Sequence, residues 1–142
     1  MFLGEFMHAL DDKHRLTLPA KFRTRFASGV VITAGPGPFL LVYPLDEFNV
    51  LFEKVSALSL MDTEAAALRR LLFSSAFDAV PDKQNRVVLP QPLREHAQLA
   101  DAAVVVGAGR FLEVWNPKTW EQVRQALRER AADPNLWVRL GV

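Results

Sequence analysis

Short apolar stretches separated by turn residues open the chain. Phe6 to Leu10 and Arg15 to Leu18 flank the turn Asp11 to His14, and Val30 to Thr33 and Leu40 to Tyr43 flank the loop Ala34-Gly35-Pro36-Gly37-Pro38. Read locally, these are two hairpins. Between them Pro19 to Phe26 predicts a short helix with Pro at an early position, where its missing N–H costs nothing. The period then changes from two to that of a helix. Leu45 to Leu58 places Phe48, Leu51, Phe52 and Val55 at i, i+3, i+4 and i+7, one apolar face. A further helix is expected from Asp62 to Ser75. Its Leu68, Leu71 and Leu72 could pack on the body of this chain or on a neighbouring subunit.

The same pattern then returns. Leu10-Asp11-Asp12-Lys13-His14-Arg15-Leu16-Thr17-Leu18-Pro19 is followed 71 residues later by Pro81-Asp82-Lys83-Gln84-Asn85-Arg86-Val87-Val88-Leu89-Pro90. Lys21-Phe22-Arg23 aligns with Pro92-Leu93-Arg94, Phe39 to Tyr43 with Phe111 to Trp115, and Phe48 with Trp120. Pro90 to Leu99 is the second short helix. The closing helix has Asn116 as N-cap, Pro117 at N1, and Trp120, Val123 and Leu127 on the buried stripe. So many aligned positions with a slip of one residue mark two copies of one supersecondary unit, two hairpins in each. A unit of about 70 residues buries little surface alone, so the copies are expected to share one core. The organisation predicted is a first repeat over 1–60, a connecting helix over 61–76 and a second repeat over 77–142.

Composition narrows the function. Half of the 142 residues are apolar and 23% are charged, as in an ordinary globular chain. No apolar run approaches the ~20 residues of a membrane span, and Met1 to Leu10 lacks the form of a signal peptide, so a cytosolic protein is expected. With no Cys there are no disulfides or thiolate metal sites, and His8, His14 and His96 are too scattered for a metal cluster. No metal or cofactor is expected. Net charge is only +1, yet Lys13 to Leu45 holds Lys13, Arg15, Lys21, Arg23 and Arg25 with no acidic residue. A local basic face on a near-neutral body suits anion binding at one surface. A solvated charged face explains the same charges without function.

The repeated Asp-x-x-x-Arg has its own logic. An Asp opening a turn accepts hydrogen bonds from backbone N–H groups two or three residues on, and its charge holds the Arg guanidinium in one direction. A guanidinium so held suits phosphate oxygens or the O6/N7 edge of guanine. The structural reading is a salt bridge that only pins the turn. Twofold repetition favours an array of basic tips.

These residues, together with Met1-Phe2-Leu3-Gly4-Glu5, resemble the MraZ family of bacterial transcription regulators, relatives of the AbrB-type swapped-hairpin DNA-binding domains. The resemblance covers essentially the whole chain. It implies an α+β fold: a tandem double-split β-α-β, swapped-hairpin AbrB-like barrel with pseudo-twofold symmetry and flanking helices. It further implies a ring of eight or twelve subunits that binds short direct repeats in double-stranded DNA. Such a ring would repress the division and cell-wall gene cluster, its own promoter included, in the cytoplasm at the nucleoid. The DNA-binding role carries over to Asp11, Arg15, Asp82 and Arg86. Lys13 and Lys83 lie in the same tips and are assigned phosphate contacts, with Lys21 and Arg23 as further phosphate candidates.

Two departures from the family pattern stand out. The position before each Arg is usually Gly in this family, but here it is His14 and Asn85. Asn tolerates positive φ better than His, so the first turn is expected to differ in shape. An enzyme is not expected, because Gly107-Ala108-Gly109 is too short for a phosphate loop and no Gly-x-Ser-x-Gly elbow occurs. The rival is an antitoxin-like or scaffolding module that keeps the fold without sequence-specific DNA contact.

Overall fold

The computed structural model describes residues 1–142. Its elements run β1 (Glu5–Ala9), β2 (Arg15–Thr17), a 3-10 helix (Ala20–Phe26), β3 (Val30–Ala34), β4 (Phe39–Pro44), α1 (Leu45–Ser56) and α2 (Thr63–Ser75). There follow β5 (Phe77–Ala79), β6 (Arg86–Val88), α3 (Gln91–His96), β7 (Ala102–Gly107), β8 (Leu112–Trp115), α4 (Pro117–Ala131) and α5 (Pro134–Arg139). The fold is mixed α+β and both of its sheets are antiparallel.

Local chemistry accounts for most boundaries. At the head of α2 the Asp62 carboxylate accepts from the N–H groups of Glu64 (2.9 Å) and Ala65 (3.3 Å). Asn116 does the same for Lys118 (2.9 Å) and Thr119 (3.4 Å) ahead of α4. The β3–β4 connection closes with the Gly35 N–H on the Phe39 carbonyl, and a Cβ on Gly35 would stand 2.5 Å from the Phe39 ring. Helix α5 has no counterpart in the sequence reading.

Strand pairing corrects the expectation of two hairpins per half. The second hairpin of each half forms, as β3 with β4 and β7 with β8. The strands either side of Asp11 to His14 meet only at the Leu10–Leu16 bridge. Instead β1 pairs with β7, β5 with β3, and β2 with β6, each across the two halves. The result is a six-stranded sheet in the order β1-β7-β8-β4-β3-β5 and a separate two-stranded ribbon of β2 and β6.

One cluster of 20 buried residues draws on both halves: Leu16, Leu18, Phe22 and Phe26 from the first meet Val87, Leu89, Leu93 and Val105 from the second. On the other side of the sheet Phe39, Leu41, Val104, Trp115 and Trp120 form a smaller cluster, with the Phe39 and Trp115 rings stacked at 4.5 Å. Helix α2 docks within the chain. Leu72 is buried, and the buried Thr33 hydroxyl bonds to the Leu72 carbonyl (2.6 Å) and the Ser75 hydroxyl (2.9 Å). Leu68 and Leu71 remain over 40% exposed. Phe52 and Leu127, expected on buried faces, are likewise exposed. Phe52 is covered only in part, by the Phe73 ring at 5.4 Å.

Candidate nucleic-acid interface

Both Asp-x-x-x-Arg segments fold into the same turn. Asp11 Oδ1 accepts from the N–H groups of Lys13 (3.0 Å) and Arg15 (2.8 Å), and Oδ2 accepts from Arg15 Nε (2.6 Å). Asp82 repeats this with Gln84 (2.9 Å), Arg86 (2.9 Å) and Arg86 Nε (2.8 Å). The backbone bonds lie two and four residues on, rather than two or three. The Arg15 backbone N–H, reinforced by its side chain, holds the Asp11 carboxyl below the usual carboxylate range despite some opposing desolvation. Arg86 acts on Asp82 in the same way.

The turns close alike despite their different residues. His14 has φ 59° and Asn85 φ 61°, which corrects the expectation that the first turn differs in shape. In each, the N–H of this residue bonds to the carbonyl of the Asp, at 3.0 Å for His14 and 2.9 Å for Asn85. Each turn is also tied to the other half: Leu89 N–H donates to the His14 carbonyl (2.9 Å) and Leu18 N–H to the Asn85 carbonyl (2.8 Å). These cross-half bonds and the Asp carboxylates over-determine the backbone, so a His can be held where glycine is easier.

The two turns are neighbours because β2 and β6 pair Arg15 with Val88 and Thr17 with Arg86. Arg86 Nη1 comes within 3.9 Å of Asp11, so Asp11 faces both arginines while Asp82 faces its own. About a quarter of each Arg side chain is exposed. With Nε engaged, the Nη end of each fork is what an incoming acceptor can reach.

The other predicted residues differ in their placement. Lys13 and Lys83 are exposed, and neither enters an ion pair. The Lys21 ammonium lies 5.2 Å from the Phe6 ring centre and 5.1 Å from that of Phe22. Arg23 donates to the Lys83 carbonyl and so braces the second tip. Arg25 leaves the basic group: it pairs with Asp46 at 3.1 Å and Glu47 at 3.9 Å, acids that follow the acid-free stretch in sequence and fold back onto it. Around the tips six basic residues (Lys13, Arg15, Lys21, Arg23, Lys83, Arg86) face three acidic ones (Asp11, Asp12, Asp82).

Sequence reasoning missed Asn85 as a structural tie. The residue is 4% exposed, and its side-chain amide donates to the carbonyls of Leu18 (3.0 Å) and Pro19 (3.4 Å) in the other half. The only signal was an Asn at a glycine-like position. A two-stranded ribbon carrying paired basic turns has the width to enter a major groove and the donors to meet phosphates and base edges there.

Known proteins match this chain over most of its length. The family described as "MraZ protein, putative antitoxin-like" matches twice, at residues 1–71 and 72–136. A protein named transcriptional regulator MraZ from Desulfitobacterium hafniense (strain Y51) is 43% identical over 143 aligned positions, covering 100% of both chains. One of the same name from Thermomicrobium roseum is 43% identical, covering 99% of this chain and 97% of its own. Another from Roseiflexus castenholzii is 43% identical, covering 93% and 92%.

Proposed function

This chain belongs to the MraZ family, and from that premise we propose that it is a transcription regulator that binds double-stranded DNA through its two Asp-x-x-x-Arg tips. The observation that carries the reading is the pair of tips set side by side, each with an Arg aimed by an Asp and an unpaired Lys beside it. Arg15 and Arg86 read base edges or phosphate with their Nη ends. Lys13 and Lys83 meet phosphates. Lys21 and Arg23, partly occupied by ring and carbonyl contacts, add charge nearby.

We read the strand exchange between halves as the tandem, pseudo-twofold double-split β-α-β barrel of AbrB-like proteins. One subunit makes few cationic contacts, and so few hold DNA weakly at physiological salt. A ring, octameric or dodecameric, sets equivalent tips side by side, so successive direct repeats engage successive subunits at high effective concentration. Promoter occlusion then represses the division and cell-wall genes, the regulator's own included, and the protein works at the nucleoid in the cytoplasm. No enzymatic activity is proposed.

The test is fluorescence anisotropy with DNA from upstream of its own gene against a scrambled duplex, at two salt concentrations. Tight binding to the native duplex alone, falling steeply with salt, is expected. Equal weak binding to both supports the second reading, a protein-interaction or antitoxin-like module, which the wording of the family description favours.

A further inference from the structure

The two tips share a backbone but use the residue before the Arg differently. Asn85 is buried, and its amide donates to the Leu18 carbonyl at 3.0 Å. The equivalent carbonyl in the second half is that of Leu89. It is met not by His14 but by Arg94, whose Nε donates to it at 2.9 Å. Arg94 is the counterpart of Arg23, which reaches past Leu18 to the Lys83 carbonyl instead. Each half therefore supplies its Leu carbonyl with a side-chain donor, and the exchange of Asn85 for Arg94 leaves the His14 side chain without that task.

Nothing else in the chain occupies it. The His14 imidazole is exposed, between Lys13 and Arg15 on the first tip, and makes no hydrogen bond or ion pair. Its φ of 59° is uncommon for a residue with a Cβ. The bond that holds this backbone, from the Leu89 N–H to the His14 carbonyl, would form equally with glycine. The side chain thus returns nothing to the fold for the conformation it strains, and such an outlier points to function.

We propose that His14 is a DNA contact of the first tip, its imidazole donating an N–H to an acceptor on the duplex, a phosphate oxygen or a purine N7. This deepens the DNA-binding reading above and rests on it. Lys13 and Arg15 on either side bring the duplex within reach of the short imidazole arm. The tips are then unequal: the residue before Arg15 acts on DNA, and the residue before Arg86 acts on the fold.

The test is anisotropy binding of His14→Gly and His14→Ala to the native upstream duplex and the scrambled one, at low salt where both are measurable, with urea unfolding on the same samples. The two variants separate side chain from backbone, because glycine relaxes the turn, alanine keeps its strain, and both lack the imidazole. Affinity for the native duplex should fall about 3- to 10-fold in both, as for the loss of one hydrogen bond, although His14→Gly unfolds at no lower urea than wild type. An equal fall on the two duplexes identifies the acceptor as phosphate; a fall on the native duplex alone identifies it as a base edge. Wild-type affinity in both variants, or a fall in only one of the two folded variants, overturns the contact and leaves the arginine reading standing. Wild-type protein that shows no preference for the native duplex removes the sequence-specific reading and this contact together.

Discussion

Replacing His14 and Asn85 with glycine separates two roles that sit at equivalent points of the two tips. Both residues hold φ near +60°, a region that costs an L residue about 1–2 kcal/mol and glycine almost nothing. His14 is exposed and its side chain makes no hydrogen bond, so His14→Gly recovers that strain. Glycine's extra freedom in the unfolded chain returns about 0.4–1 kcal/mol of it, leaving a net gain of roughly 0.5–1 kcal/mol. Asn85→Gly has less strain to recover, because Asn tolerates this region, and it deletes the amide that donates to Leu18 and Pro19. The Pro19 carbonyl keeps the Phe22 N–H, while that of Leu18 loses a buried donor, at a cost of about 1–3 kcal/mol. The net loss is about 1–2 kcal/mol. Urea unfolding followed by circular dichroism at one fixed protein concentration reads both, the fixed concentration being needed because association adds to apparent stability. Opposite signs are expected. Equal effects, or an Asn85→Gly variant as stable as wild type, would refute the cross-half tie.

Three further outcomes follow from the geometry. Lys13→Ala and Lys83→Ala should each lower the slope of log affinity against log salt by about 0.9 if each ammonium meets one phosphate, leaving discrimination between DNA sequences unchanged in competition binding. Gly107→Ala brings a Cβ within 2.6 Å of the Phe2 carbonyl and 2.7 Å of the Leu3 backbone, so thermal unfolding should show a loss of about 1–3 kcal/mol from overpacking where the N-terminus meets β7. Asp11 and Asp82 are held below their ordinary carboxyl values, so the unfolded chain takes up their protons first. Their contribution to stability is complete above the unfolded carboxyl range near 4 and is lost as pH falls through the lower folded values. Accordingly the double variant Asp11→Asn, Asp82→Asn should show a shallower fall in unfolding midpoint below pH 4 than wild type, with matched slopes between pH 5 and 8.

The elements were largely legible from the sequence because their signals are local: Asn116-Pro117 starts α4, the Gly-Pro loop joins β3 to β4, and the apolar period marks α1. The pairing of β1 and β2 was not. Two short strands joined by a turn look like a hairpin, and nothing local says that β1 finds its partner in β7 and β2 in β6. The same distance effect hid the Asn85 tie and the way Asp46 neutralises Arg25. At the tips, the Asp-to-Arg spacing foretold the ion pair, but judging His14 by its intrinsic dislike of positive φ missed the cross-half bond that holds it. The exposure of Phe52 and Leu127 was hidden because helical period marks a face without saying whether anything covers it.

The central claim is that the paired arginines contact DNA, and the most direct measurement is anisotropy binding of Arg15→Ala, Arg86→Ala and the double variant to the native upstream duplex. Circular dichroism and oligomer mass are recorded on the same samples. The account predicts folded, assembled variants whose affinity falls by roughly 5- to 150-fold for each arginine that reads a base edge, about 1–3 kcal/mol, with a larger loss for the double variant. A folded, assembled double variant that binds the native duplex as tightly as wild type would contradict it and reduce both Asp-x-x-x-Arg segments to salt bridges that pin a turn.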